Sequence, residues 1–531
     1  MKLHNNILIP AAVIAFIAMV TSCTKDLNTV PLDSTITTSA SVFNDPAAYK
    51  EALAKLYTGL ALSGQEGPAG QPDIQGIDEG FSNYIRQYWC AQELPTDEAV
   101  IAWSDPGLPD YHTISWSSSN SFVTAMYNRI YYQVSICNEY IREVAPKLDG
   151  LSSDLKANVT QYLAEARFLR AFSYWHALDM FGGGVPFVTE KDKVGTFFPP
   201  PISKADLFNY IESELKAIDG DLAKPKTNEY ARVDQAAEWT LLAKLYLNAE
   251  VYIGQPKYTE SITYCNQVIA SGYKLDPVYQ NMFLADNNNS PEIIFPVAFD
   301  GIHTQTYGGM NFVIHAQVGG NMSAKSFGLD GPWGGTRVTK SFVQKFPDPS
   351  GATDTRAMFF TDGQSLDIGN IKSFNDGYAV TKFKNITSTG IAGSNPGFVD
   401  TDCPVFRLAD VYLMYAEAVL RGGTSGDAGT ALNYVNLVRE RAYNGNKAAA
   451  DIIQGQMTLS FILDERAREL YWEGYRRTDL VRYGLLTSGS YLWPWKGGIQ
   501  NGSSADAKFN VFPIPSADLS ANPSLKPTPG Y

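Results

Sequence analysis

The chain has little of what most enzymes use for chemistry. It carries only 5 histidines and 5 cysteines in 531 residues. His4, His112, His176, His303 and His315 form no HExxH motif, and none pairs with a cysteine at metal-ligand spacing. There is no CxxC pair, Walker A loop, GxSxG elbow or dinucleotide GxGxxG. Positive charge is also scarce. Lys and Arg total 42 against 55 Asp and Glu, a formal net charge of −13. That balance argues against a nucleic-acid partner, which asks for a basic face. No apolar run reaches the ~20 residues a transmembrane helix needs. A glycoside hydrolase survives these absences, because it requires only two carboxylates about 5 to 10 Å apart. Asp78, Glu79, Asp97 and Glu98 qualify by type alone, and nothing in the sequence marks one as the acid.

What is present begins at the N-terminus. Lys2 and the apolar run Ile7 to Val20 have the charge and length of a secretory signal peptide. The tetrad Val20-Thr21-Ser22-Cys23 resembles a bacterial lipobox, which implies cleavage before Cys23 and acylation of its thiol. Two or more acyl chains hold a protein firmly to a bilayer, where one does so only marginally. Residues 1–22 are thus read as a lipoprotein signal peptide and residues 23–45 as a lipidated, flexible tether. Residues 46–531 form the body. The other four cysteines, Cys90, Cys137, Cys265 and Cys403, are far apart, and buried free thiols are the expected state.

Three stretches of the body look alike, starting at Tyr162, Gln235 and Arg407. In the first, Ala164, Phe168, Ala171, Trp175 and Leu178 recur at steps of four and three. Trp239, Leu242, Tyr246 and Ala249 do so in the second, and Leu408, Val411, Tyr415 and Ala418 in the third. This is the period of amphipathic helices with small residues at close approaches. A second helical pattern follows each one, at Ser203 to Ile218, Tyr258 to Ala270 and Ala428 to Arg441. The expected fold is mainly α, a tetratricopeptide-like helical frame over about 121–272 and 402–485. A plain helical bundle is the alternative. Residues 63–120 and 273–401 are rich in Gly, Asn, Asp and aromatics, with few short strand-like runs such as Glu292 to Phe299. Loops this long in a compact domain usually carry function. Asp464 to Gly484 reads as one charged helix in which Glu473 reaches Arg476 and Arg477, and Glu465 reaches Arg468. A structural ion network is the expected role.

Several motifs resemble the SusD/RagB family of outer-membrane glycan-binding lipoproteins, and its starch-binding member in particular. They are Ala164 to Glu190, Asp464 to Gly484, the tail Phe512 to Tyr531 and the lipobox segment. The resemblance spans nearly the whole chain. It implies a superhelical α-α frame, no catalysis and a cell-surface location at the outer membrane. It also implies delivery of starch or a related polysaccharide to a SusC-like TonB-dependent transporter. By the same resemblance, Tyr307 and Trp333 belong to an aromatic arc, with Asp78 and Arg86 as polar contacts. A further arc tryptophan is replaced by Ile101, with Trp103 two positions on, and Asp105 is placed to supply a polar contact. Aromatic platforms beside Asp, Asn and Arg suit a sugar, which has an apolar C–H face and a hydroxyl rim. Asp400 and Asp402 resemble a structural metal pair, and Asp286 and Asn288 offer further hard oxygen donors for calcium. The same residue types also cap turns for purely local reasons. The competing functions are a surface-anchored glycoside hydrolase and a helical scaffold that binds protein only.

Overall fold

The computed structural model describes residues 39–195 and 198–531. The expected signal peptide and Cys23 lie outside the described residues. Two units are present, divided after Tyr49. In the first, the end of the expected tether forms one turn of helix, Ser39–Val42, and the Phe43 ring lies 5.0 Å from Tyr49.

The second unit is mainly helical. Helix α1 spans Tyr84–Glu93, inside a stretch that reads as loop-rich in sequence. Its residues are almost all buried, which the Gly- and Pro-rich flanks conceal. The frame follows with α2 (Ser121–Val144), α3 (Ser153–Phe181) and α4 (Lys204–Ile218). Next come α5 (Gln235–Leu247) and α6 (Tyr258–Ala270). Each packs against its chain neighbour, as repeat hairpins do. Short helix α7 (Gly309–Ala316) lies in the loop-rich face. The frame resumes with α8 (Leu408–Leu420), α9 (Ala428–Ala442), α10 (Leu459–Leu470) and α11 (Arg476–Arg482). Helix α8 packs on α6, α9 and α10, so the two halves of the frame join through it.

The repeat positions expected in the core are there, and Trp239 alone is half-exposed, donating through Nε1 to Asp219 at 2.8 Å. The central helices are not amphipathic in the ordinary sense. From Val159 on, α3 buries polar residues too, because it is covered on more than one side. Arg170, for example, is buried against Glu214 at 2.7 Å. The glycines after α3 cap it, with Gly182 at φ 74°. Cys90, Cys137 and Cys265 are buried free thiols, and Cys403 is a half-buried one.

One strand pair joins the two loop-rich stretches, and another ties them to the frame. Strands β1 (Ala99–Ile101) and β3 (Thr336–Val338) pair antiparallel. Strands β2 (Ile293–Val297) and β4 (Cys403–Arg407) do the same.

The single charged helix expected over Asp464 to Gly484 is two helices. The chain breaks between α10 and α11, with Trp472 at φ 67° and Gly474 at φ 82°. Glu473 therefore does not meet Arg476 or Arg477. It is buried against Arg407 Nε at 2.6 Å and Lys382 Nζ at 2.6 Å. Arg476 turns instead to Asp97 at 2.7 Å. The expected Glu465–Arg468 pair does form, at 2.6 Å. Glu473 needs partners, and it finds them across the fold rather than one turn along a helix.

Candidate functional site

The pairing of β1 with β3 assembles one side of the site. Ile101 lies opposite Thr336, and the Ala102 amide donates to Gly335 at 2.9 Å. Residues just after β1 thus meet residues just before β3. Trp103 Nε1 donates to the Trp333 carbonyl at 3.3 Å. A Cβ on Gly335 would fall 2.8 Å from the Trp103 ring, so glycine is needed for that approach. Ile101 itself is buried in the strand and does not reach the opening.

Helix α7 assembles the other side. Tyr307 stands just before it. At its far end the His315 and Ala316 carbonyls accept from the Trp333 and Gly335 amides at 3.1 and 2.7 Å. Asn83 ties α7 to α1. Its side chain accepts from the Arg86 amide at 3.1 Å and from the Gly309 amide at 2.8 Å. At Gly308 a Cβ would lie 2.1 Å from the Asn83 Cβ, so the glycine after Tyr307 permits this close join.

The result is an open groove of about 420 Å³ lined by Asp78, Phe81, Arg86, Trp103, Asp105, Tyr307 and Trp333. All six residues singled out as sugar contacts in the sequence line it together. Tyr307 is 44% exposed, with its ring 6.5 Å from Trp333 at an angle of 53°. The Trp333 and Trp103 rings are 6.4 Å apart at 45°. Asp78 is exposed and Asp105 half-exposed.

Arg86 forms the floor. It is buried, with its guanidinium 4.1 Å from the Phe81 ring and 4.3 Å from the Phe312 ring. Its Nη1 donates to the Tyr307 carbonyl at 3.1 Å, while its Nε has no partner in the protein. Burial lowers its pKa to about 10, against weak opposing pulls that include Asp78 and Asp105. Its Nε is sealed beneath the groove, so a ligand can meet only the part of the guanidinium that lines the opening.

Four contributors went unrecognised in the sequence. Phe81 and Phe312 sandwich Arg86. His315 stacks under Trp333 at 4.6 Å and 28°. Its Nδ1 lies 3.1 Å from the Gly331 carbonyl, so Nδ1 bears the proton. Phe398 lies 5.5 Å from Tyr307. Each is an ordinary aromatic in a helix or loop, and no local spacing distinguishes it.

Of the four acids considered for hydrolysis, only Asp78 lines the groove. Asp97 is buried on Arg476, which holds its carboxyl well below the usual range. Glu79 is buried and accepts from the Gly70 amide at 2.8 Å. Glu98 is buried beside Glu93, and desolvation raises both, Glu93 to about 7.

The calcium donors suggested by sequence are used otherwise. Asp400 accepts from the Gly301 amide at 2.8 Å and from Ser394 Oγ at 2.6 Å. Asp402 accepts from the Phe299 amide at 2.7 Å and from the Tyr230 hydroxyl, and burial raises its pKa to about 6. Asp286 holds Ser388, with Oγ at 2.6 Å, and Asn288 accepts from Asn289 at 3.3 Å. Among the described residues no three His, Cys, Asp or Glu side chains gather as a metal-binding group. In the structure these donors serve as loop clasps that accept from protein N–H and O–H groups.

A family model, described as the SusD family, matches residues 348–531. The chain is 34% identical over 573 residues to "Starch-binding protein SusD" of Bacteroides thetaiotaomicron, covering 99% of this chain and 98% of that protein. Among solved structures it resembles a SusD homolog of Bacteroides thetaiotaomicron with a TM-score of 0.73 at 19% identity. That match covers 94% of this chain and 99% of the other. It also resembles surface glycan-binding protein A of that organism, solved in complex with laminarihexaose, with a TM-score of 0.66 at 20% identity. There the coverage is 91% and 99%.

Proposed function

The chain belongs to the SusD family, and from that premise we propose that it is a glycan-binding lipoprotein of the outer-membrane surface. It captures starch, malto-oligosaccharide or a related polysaccharide and delivers it to a SusC-like TonB-dependent transporter. The anchor in this reading is acylated Cys23.

One observation carries the reading. Six residues from distant stretches of the chain, expected as sugar contacts from the family resemblance, line a single open groove. Half-exposed rings offer flat faces to the apolar side of a pyranose. The part of the Arg86 guanidinium that lines the groove donates to a hydroxyl or ring oxygen, and Asp78 and Asp105 accept hydrogen bonds from hydroxyls at the rim. SusD proteins are binders, so the reading includes no catalysis. The glucan preference follows the 34% identical relative, whose name records starch binding.

The test incubates purified protein with starch, levan and xylan. Retention of a glycan without cleavage is the expected result. Release of products would favour a hydrolase, and retention of none would favour a protein scaffold. For the anchor, Cys23→Ala is expected to abolish fatty-acid labelling, and a variant that still labels and pellets with membranes would refute it.

A further inference from the structure

The row of rings does not stop at Tyr307. Trp103, Trp333, Tyr307 and Phe398 follow one another at centroid steps of 6.4, 6.5 and 5.5 Å. The angles between successive rings are 45°, 53° and 43°. Phe398 therefore neighbours Tyr307 at a similar step and a similar tilt, just outside the residues that line the groove. It is half-buried rather than sealed in the core, while the next residue, Val399, is 1% exposed.

The loop that carries Phe398 is fixed to the loops of both neighbouring rings. The Asp330 amide donates to the Pro396 carbonyl at 3.0 Å, which ties it to the Trp333 loop. Asn395 Nδ2 donates to the Gly301 carbonyl at 3.0 Å, and the Gly301 amide donates to Asp400 at 2.8 Å. Those bonds tie it to the segment leading to Tyr307. A Cβ on Gly301 would come within 2.3 Å of the Phe398 carbonyl, so the two strands of loop touch. Beside the loop stands Asp330, whose side chain is 61% exposed. A side-chain atom at Gly397 would be 3.3 Å from its Oδ2, which places that carboxylate at the edge of the same loop.

We propose that Phe398 forms an additional sugar subsite at the Tyr307 end of the groove. It takes one more residue of the chain than the groove alone holds. A phenyl ring has no hydroxyl, so this subsite reads the apolar C–H face, and Asp330 accepts from a hydroxyl at its edge. The proposal rests on the glycan-binding reading above. It predicts that the benefit of a longer oligosaccharide depends on Phe398.

Calorimetry with maltotetraose and maltoheptaose tests this on the full-length protein. Phe398→Ala is expected to weaken maltoheptaose binding by roughly tenfold and to leave maltotetraose within about twofold. Phe398→Tyr keeps a ring and is expected to keep the length preference. Thermal melts of both variants establish that the fold is intact. Equal losses at both lengths would make Phe398 a support for Tyr307 and overturn the subsite. No loss at either length would overturn it too. If wild type binds neither sugar, the glucan reading fails and the subsite fails with it. Wild-type binding with an unaltered Phe398→Ala profile sinks the subsite alone.

Discussion

Two buried arginines show how the frame and the groove differ. Arg407, in the frame, is fully buried and meets Glu292, Glu469 and Glu473 at 2.9, 2.5 and 2.6 Å. Arg86, under the groove, is 3% exposed and donates to one backbone carbonyl. Its other contacts are ring faces, and its Nε is unpartnered. Residue type and burial are the same, and the company is opposite. A buried charge surrounded by counter-charges is committed to the fold, since removing one partner strands the other. A buried charge with a single protein acceptor and a surface on an opening keeps capacity for a ligand. The comparison predicts a separation: frame substitutions should move stability, and groove substitutions should move affinity.

The largest effect is expected in the frame. Glu473→Ala leaves Arg407 Nε and Lys382 Nζ without their 2.6 Å acceptors in a dry interior. Breaking a buried pair this way costs about 3–5 kcal/mol. Denaturant unfolding should show that loss, with glycan affinity of the folded fraction unchanged. An intact melting curve with lost binding would break the separation at once.

The groove should give the converse result. Trp333→Ala removes the ring between Trp103 and Tyr307. An anchor of this kind carries about 2 kcal/mol or more, so binding should weaken roughly thirtyfold. The melting temperature should barely move, because the ring is half-exposed. Tyr307→Ala should weaken binding too, and the double variant should be non-additive, since both rings touch one ligand. Equal affinity in Trp333→Ala and wild type would remove this groove from consideration.

A smaller effect sharpens the comparison from within the frame. Glu93 accepts from the Gly474 amide at 2.6 Å and is bonded to Glu98, with Asp97, Arg476 and Lys382 near the pair. Desolvation raises Glu93 from 4.5 to about 7, so the folded protein favours its neutral form. Its contribution is fully present below pH 4.5 and is lost as pH rises through about 7. Glu93→Gln keeps an acceptor for Gly474 and ends the titration. It should flatten the stability curve between those values and exceed wild type at pH 8 by about 1–2 kcal/mol. A variant that loses stability equally at pH 4 and pH 8 would show a structural role with no shared proton.

Much of this division was legible in the sequence. The helical frame announced itself by steps of three and four, because core packing imposes that period on long helices. Trp333 and Tyr307 were visible as aromatics among glycines, once the family resemblance gave them a purpose. Helix α1 was hidden, since its ten residues carry Arg86, Gln87, Gln92 and Glu93 into the interior. The break between α10 and α11 was hidden too, because left-handed Trp472 obeys no propensity rule. The partners of Glu473 lie 66 and 91 residues away, beyond any local pattern. Phe398 beside Tyr307 and His315 beneath Trp333 are pairings that only the fold creates.

The smallest effect separates two residues that sequence placed on equal terms. Asp78 and Arg86 were both expected as polar sugar contacts. Asp78 is exposed at the lip of the groove, where its carboxylate caps the Phe81 amide at 3.2 Å. Water can replace a hydroxyl contact there at little cost, so Asp78→Asn should weaken binding only about two- to threefold. The amide oxygen retains the cap, and stability should stay within about 0.5 kcal/mol of wild type. Arg86 is different, because it holds the Tyr307 carbonyl and fills the space between Phe81 and Phe312. Arg86→Ala should lower affinity and stability together, and so belongs to both regions. Calorimetry and thermal melts on the two variants decide the matter. Comparable affinity losses at Asp78 and Arg86 would mean that the ligand sits at the rim, and that the buried guanidinium serves the fold alone.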